Sequence, residues 1–196
     1  MRTAKKIWTY LVIAAVALIA SVVATILGTA AAIGIYNMNS VARKFIMNIT
    51  LIPNVNPEIV TGVSLMLLFV FLKLEFGFAT LILSHITFCV PYVILNVMPK
   101  LRQMNRNLCE AAADLGCNQL QVFSKVMVPE IMPGILSGLT MVFVPAVSTF
   151  YISQKLGSTG TTMIGDVIES QFKTAYNPNL GAALSLVMMI LIFACI

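Results

Sequence analysis

The sequence predicts an all-α polytopic membrane protein with about five transmembrane helices, and three observations carry that expectation. Hydrophobic residues make up 59% of the 196 positions and charged residues 10%, with a mean hydropathy of +0.96, far from the range of a soluble domain. The apolar runs are long, do not alternate and are interrupted by glycine as membrane helices are, whereas a β-barrel needs many short alternating segments. The twelve Lys and Arg residues behind the net charge of +5 sit in short loops and at the N-terminus. That pattern reads as topology signalling rather than nucleic-acid binding.

The first apolar run extends from Ile7 to Tyr36 and at ~1.5 Å per residue reaches ~44 Å, enough to cross ~30 Å of hydrocarbon once with overhang. Arg2, Lys5 and Lys6 precede it as in a signal peptide, but a signal core is only ~7 to 15 residues long. Ala24, Gly28 and Ala32 recur every four residues, a stripe that lets a second helix approach closely. A polar link from Asn37 to Lys44 follows, then Phe45 to Leu72, broken by Ile52-Pro53-Asn54-Val55-Asn56-Pro57-Glu58. Ile59 to Leu72 gives only ~21 Å of helix, so broken backbone must lie at membrane depth, sheltered by protein or a water-filled cavity. Asn56-Pro57-Glu58 carries a cap, a proline and an acid in the order of a helix start. Glu58 therefore has two readings, a helix-start acid and a group in a translocation path.

The third span is expected over Phe76 to Met98, bent at Pro91. It holds the only histidine, His85, expected to bond to a neighbouring helix rather than to carry protons or ligands. The fourth span is expected over Ile131 to Ser153, with Gly134 and Gly138 as a small-residue packing face. A polar stretch from Gln154 to Asn179 and a last run, Leu180 to Ile196, complete the chain. Gly157 and Gly160 lack the lysine of a phosphate loop and read as turn residues. Cys89, Cys109, Cys117 and Cys195 have no zinc spacing and read as four unpaired thiols, so no metal or cofactor is expected. An intramembrane enzyme would need a catalytic constellation at helical spacing, and His85 stands alone.

Lys100 to Pro133 is the one long polar segment between apolar runs. Leu108, Ala111, Ala112 and Leu115 share one helical face, Gly116 can end that helix in a left-handed cap, and Leu120, Phe123, Val126 and Met127 form a second stripe. Two short helices meeting at a turn are expected. Charge does not orient the segment. Arg43, Lys44, Lys100, Arg102, Arg106 and Lys125 on one face balance Arg2, Lys5, Lys6, Lys73, Lys155 and Lys173 on the other.

Glu110-Ala111-Ala112, then Gly116 after three residues, then Val126-Met127-Val128-Pro129 after nine more, resembles the EAA signature of permease subunits in ABC importers. Every spacing of that pattern (EAA, three residues, Gly, nine residues, Ile-x-Leu-Pro) is met, with valine at both aliphatic positions. The resemblance implies a type I permease domain over residues 1–196 in the bacterial plasma (inner) membrane. Residues 100–133 would be a cytoplasmic coupling loop in which Glu110, Ala111, Ala112, Gly116 and Pro129 contact the ATPase. It implies as partners a cytoplasmic ABC ATPase dimer, a second permease subunit, an extracytoplasmic substrate-binding protein and membrane lipid, with no nucleic acid. ATP hydrolysis would fall to the partner, since no Walker lysine motif occurs.

Gly77-Phe78, Ser84 to Pro91, Phe143-Val144-Pro145-Ala146, Ile164-Gly165-Asp166 and Gln171-Phe172 are similar to segments of the spermidine/putrescine permeases. Against that family's usual six spans, the first span is expected to be missing and the last shortened. A polyamine path needs acids or aromatic faces to replace the hydration of each ammonium. Glu58, Tyr151, Asp166 and Glu169 are the candidates, with Asp166 and Glu169 three apart on one helical face near Phe150 and Tyr151, though a solvated outer loop also accounts for those two acids. An importer of iron, a phosphonate or thiamine, and a non-transporting fragment that only occupies its partners, are the alternatives.

Overall fold

The structure is a computed structural model that describes the backbone at residues 2–55, 58–148, 156 and 164–195, and the side chains there except at 2–17, 106, 147, 148, 191, 194 and 195. Its described elements are helical: α1 (Arg2–Tyr36), α2 (Ser40–Val55), α3 (Glu58–Phe71), α4 (Phe78–Gln103), α5 (Arg106–Asp114), α6 (Gln119–Val122), α7 (Val128–Ser148), α8 (Ile164–Lys173) and α9 (Pro178–Cys195). A π-helical turn, Phe123–Met127, joins α6 to α7.

The core is the mutual packing of α1, α4 and α7. On α4, Leu81, His85, Cys89, Val93, Val97 and Leu101 recur every four residues and are all buried, a continuous ridge of the kind that seats in a neighbouring helix's groove. The expected small-residue stripe on α1 is what receives it. Ala24 and Ala32 are buried, and a methyl group at Gly28 would lie 2.6 Å from Val93 Cβ. The second expected stripe does the same from α7: a Cβ on Gly134 would meet Lys100 Cγ at 2.8 Å and one on Gly138 the Val93 Cα at 3.5 Å. Glycine at 28 and 134 sets the helix separation, whereas a methyl group at Gly138 would make only ordinary contact; in lipid such close packing replaces the hydrophobic drive.

Several boundaries move. α2 starts at Ser40, so the link after α1 is only Asn37 to Asn39, closed by Arg43 Nη2 donating to the Met38 carbonyl at 2.9 Å and lying 5.7 Å over the Tyr36 ring. α4 runs unbroken through Pro91 and Pro99 to Gln103, five residues past the expected end of that span, because the Lys100 stem is packed against Gly134. The polar stretch before the last run contains a helix, α8, and α9 opens on Pro178 with Asn177 Oδ1 accepting from the Leu180 amide at 3.3 Å.

Three helices among the described residues are long and apolar enough to cross a membrane: Leu18–Tyr36, Phe78–Gln103 and Gln119–Ala146. α2 and α3, bent by 108° at their break, add a fourth if taken as one span, and Pro178–Ile190 is apolar but shorter. The helix of the second apolar run is thus interrupted where the sequence placed the break, and Glu58 lies in the first turn of α3. Asn56 and Pro57 lie outside the described residues.

One correction concerns His85. It is buried, but Nδ1 bonds to the Leu81 carbonyl of its own helix at 2.9 Å, not to a neighbouring helix. Side chains on a helix lean over the preceding turn, and the carbonyl four residues back lies where the ring already is.

Candidate coupling loop and translocation face

Local chemistry dictates the loop that follows α4. Asn105 Oδ1 accepts from the Asn107 amide at 3.1 Å and starts α5, satisfying one of the helix's free donors. At the other end Cys117 N donates to the Ala112 carbonyl at 3.1 Å and Gly116 N to the Ala113 carbonyl at 2.9 Å, the bond pair of a Schellman cap. That cap needs a residue with positive φ, and Gly116 sits at φ 84°. The next helix starts at once through a reciprocal capping box, in which Asn118 Oδ1 accepts from the Gln121 amide at 2.8 Å and Gln121 Oε1 from the Asn118 amide at 3.0 Å. Gly116 thus reverses the chain between two capped helices.

The second of the two short helices differs from expectation. It is not a separate element but passes through the π turn into α7, and the whole forms one helix from Gln119. Pro129 explains the π turn. An α-helix would require the Pro129 nitrogen to donate to Lys125 and would press its ring on that carbonyl. The wider turn, with Val128 N bonded to the Phe123 carbonyl, moves the backbone aside. The spacing from Gly116 to Pro129 therefore measures the stretch of continuous helix from the loop's corner to the start of α7.

Glu110, Ala111, Gly116 and Pro129 are exposed and Ala112 half-buried. With them the loop exposes Leu115 to 86%, Leu120 to 77% and Leu108 to 47%. Among polar neighbours such leucines mark a surface built to be covered. α5 rests on α6 and on the π turn, and Cys109 and Met127 reach back to the core.

The candidate path residues fall in two places. Glu58 is half-buried at the start of α3, which packs on α4. Asp166 and Glu169 are on α8, which packs on α7 and α9. They do not sit in a solvated loop: Asp166 is 6% exposed, and Glu169 bonds to Lys173 at 2.6 Å. Asp166 is buried together with Gly165 at the start of α8. Tyr151 and Phe150 lie outside the described residues.

Sequence reasoning missed three residues. They are Tyr92 and Asn96 on α4 and Ser137 on α7. Tyr92 pairs with Phe88 at 5.3 Å between ring centroids, and its carbonyl accepts from Asn96 Nδ2 at 2.8 Å. Across the interface Ser137 Oγ donates to Asn96 Oδ1 at 3.2 Å, and Asn96 Nδ2 also approaches Met141 Sδ at 3.2 Å. Tyr92, Asn96 and Ser137 make a partly open polar stripe within two apolar helices, a surface unsuited to lipid. Its only sequence signal is the four-residue step from Phe88 to Tyr92 to Asn96. Ser137→Ala is expected to lower stability by about 0.6 kcal/mol, and the effect to vanish in an Asn96→Leu background; a denaturation-based double-mutant cycle in detergent measures this.

Comparison with known proteins fits this geometry. Residues 24–196 match the family of the binding-protein-dependent transport system inner membrane component. The chain is 30% identical over 173 residues to the spermidine/putrescine transport system permease protein PotC of Escherichia coli (strain K12), covering 85% of this chain and 66% of that protein. It is 34% identical over 181 residues to the putrescine transport system permease protein PotI of the same strain, covering 88% and 64%. The chain thus spans just under two thirds of the length of these curated relatives. A chain of the inward-facing MetNI methionine ABC transporter, in its CY5 native crystal form, superposes with a TM-score of 0.68 at 18% identity, covering 96% of this chain and 92% of that one, a likeness of fold. With the profile match covering nearly all of it and the helices arranged as in type I ABC importer permeases, the chain belongs to the binding-protein-dependent transport system inner membrane component family and is a multi-pass inner-membrane protein.

Proposed function

We propose that the chain is a permease subunit of an ABC importer and that its cargo is a polyamine of the spermidine/putrescine type. One observation carries the first half: the capped corner at Gly116, flanked by exposed leucines and joined by an unbroken rod to α7, is shaped to take a push from a partner and pass it to a membrane span. Residues 100–133 then form the cytoplasmic coupling loop of a single permease domain, and Glu110, Ala111, Ala112, Gly116 and Pro129 are the surface an ATPase dimer engages. A second permease subunit completes the path, and a substrate-binding protein delivers cargo on the opposite face. ATP-driven closure of the two ATPases would move the α5–α6 corner and, through the π turn, tilt α7 against α4 so that the path opens alternately to each side.

Two considerations support the cargo. The similar proteins named above are polyamine permeases by description, and the membrane domain offers what an ammonium needs, acids beside aromatic faces. Glu58 opens α3, which packs on the helix carrying the Phe88–Tyr92 ring pair; Asp166 and Glu169, with Tyr151 nearby in the chain, supply another group. The acids replace water around each ammonium in turn, and the Asn96–Ser137 stripe offers neutral acceptors.

The test is uptake of labelled spermidine and putrescine by the assembled transporter in proteoliposomes. Glu58→Gln and Asp166→Asn are each expected to cut uptake about tenfold, the loss of roughly 1.4 kcal/mol of cation stabilisation, while stimulated ATP hydrolysis persists. Unchanged uptake in both variants would remove these acids from the path. Uptake of an iron chelate, phosphonate or thiamine in place of polyamines would overturn the cargo while leaving the permease assignment standing.

A further inference from the structure

Where α2 passes the last turns of α4, a cavity of about 370 Å³ opens between Met47 and the residues Leu95, Met98, Pro99, Arg102 and Gln103. It lies at the end of the bundle from which the α5–α6 loop emerges, one turn from where α4 stops. Its wall is apolar as far as Pro99 and becomes cationic at Arg102. Such a change from apolar to cationic side chains is what a span shows where it leaves hydrocarbon for the headgroup layer.

The cations at this end are not equivalent. Arg43 is held by the Met38 carbonyl and the Tyr36 ring, and Lys100 reaches Gln103 Oε1 at 3.4 Å. Arg102 makes no hydrogen bond or ion pair among the described residues, and it borders the cavity. A guanidinium at the rim of an apolar groove presents a planar donor fork to an oxyanion while the groove takes a hydrocarbon chain. A free phosphate would leave the apolar wall wet, and an uncharged lipid would leave the guanidinium without an anion.

We propose that this cavity holds one anionic phospholipid, with its phosphate on Arg102 and its glycerol and upper acyl carbons against Met47, Leu95 and Met98. The site is independent of the transported cargo. Bound there, the lipid would bridge α2 to α4 beside the coupling loop and fill a gap that the protein leaves between them.

The experiment is native mass spectrometry of the full chain released from micelles doped with phosphatidylglycerol or with phosphatidylcholine of the same acyl chains. The wild type is expected to retain one phosphatidylglycerol about fivefold more strongly than phosphatidylcholine, the factor appropriate to one cation at an anionic headgroup. Arg102→Gln should erase that preference without reducing phosphatidylcholine retention, and Met47→Trp, which fills the cavity, should lower both. Lys73→Gln, which removes the same charge from the turn between α3 and α4, should change neither. Equal retention of the two lipids by the wild type, or a preference that survives Arg102→Gln, overturns the proposal. Displacement of the lipid by millimolar inorganic phosphate would instead make this a free-anion site. Its displacement on adding the partner subunits would make it a protein contact. Either result also rejects the lipid.

Discussion

Replacing Gly28 with valine is expected to cost about 3 kcal/mol and to separate α1 from α4. The first added carbon alone would lie 2.6 Å from Val93 Cβ, 2.8 Å from Val93 Cγ1 and 3.2 Å from the Val90 carbonyl oxygen. Val93 is fully buried and cannot swing away, and the carbonyl belongs to backbone, so relief must come from the helices moving apart. Overpacking of this kind ranges over about 1–3 kcal/mol, and a second and third carbon place valine at the upper end. Gly28→Ala should cost roughly half as much. Gly34, on the same helix, has nothing within 4 Å of the corresponding point, so Gly34→Val should leave stability nearly unchanged. Denaturation of purified protein in detergent reads all three. A Gly28→Val midpoint no lower than that of Gly34→Val would mean that the α1–α4 contact is not the close one described.

The second large effect is at Gly116, and its cause is different. Nothing lies within 4 Å of where its Cβ would be, so no clash arises; the constraint is φ 84° alone. An L-residue there costs about 1–2 kcal/mol, more for a β-branched one, while asparagine is tolerated. Gly116→Val is therefore expected to shift the corner to another conformation and reduce ATP-driven uptake about tenfold, with normal insertion and normal thermal stability of the membrane core. Gly116→Asn should retain most of the activity. The rescue separates a conformational requirement from a need for an open surface: if the corner must be small for a partner to fit, asparagine would fail as badly as valine. Equal loss in both variants would thus replace the left-handed cap as the explanation.

These two glycines show what could be read from the chain directly. Gly116 was legible because a helix end is decided locally, by the four residues around it; the caps at Asn105, Asn118 and Asn177 rest on equally local chemistry, but the sequence reading did not single them out. Gly28 was legible as one of a small-residue stripe, but not its partner. α4 carries two adjacent four-residue rows, Leu81 to Leu101 and Phe88 to Lys100, and either could have faced α1. Only packing decides that Val93 goes inward and that Tyr92 and Asn96 stay at the edge.

The sequence by itself determined the fold class, the broken second span, the loop with its corner, and the small-residue stripes, because composition, helix-end chemistry and period act over a few residues. Tertiary structure alone decided the rest. It turned His85 back onto its own helix, took Asp166 out of solvent, and joined Ser137 to Asn96 across the α4–α7 interface. Each of these depends on which face of one helix meets which face of another, and a periodic pattern specifies a face without naming its partner.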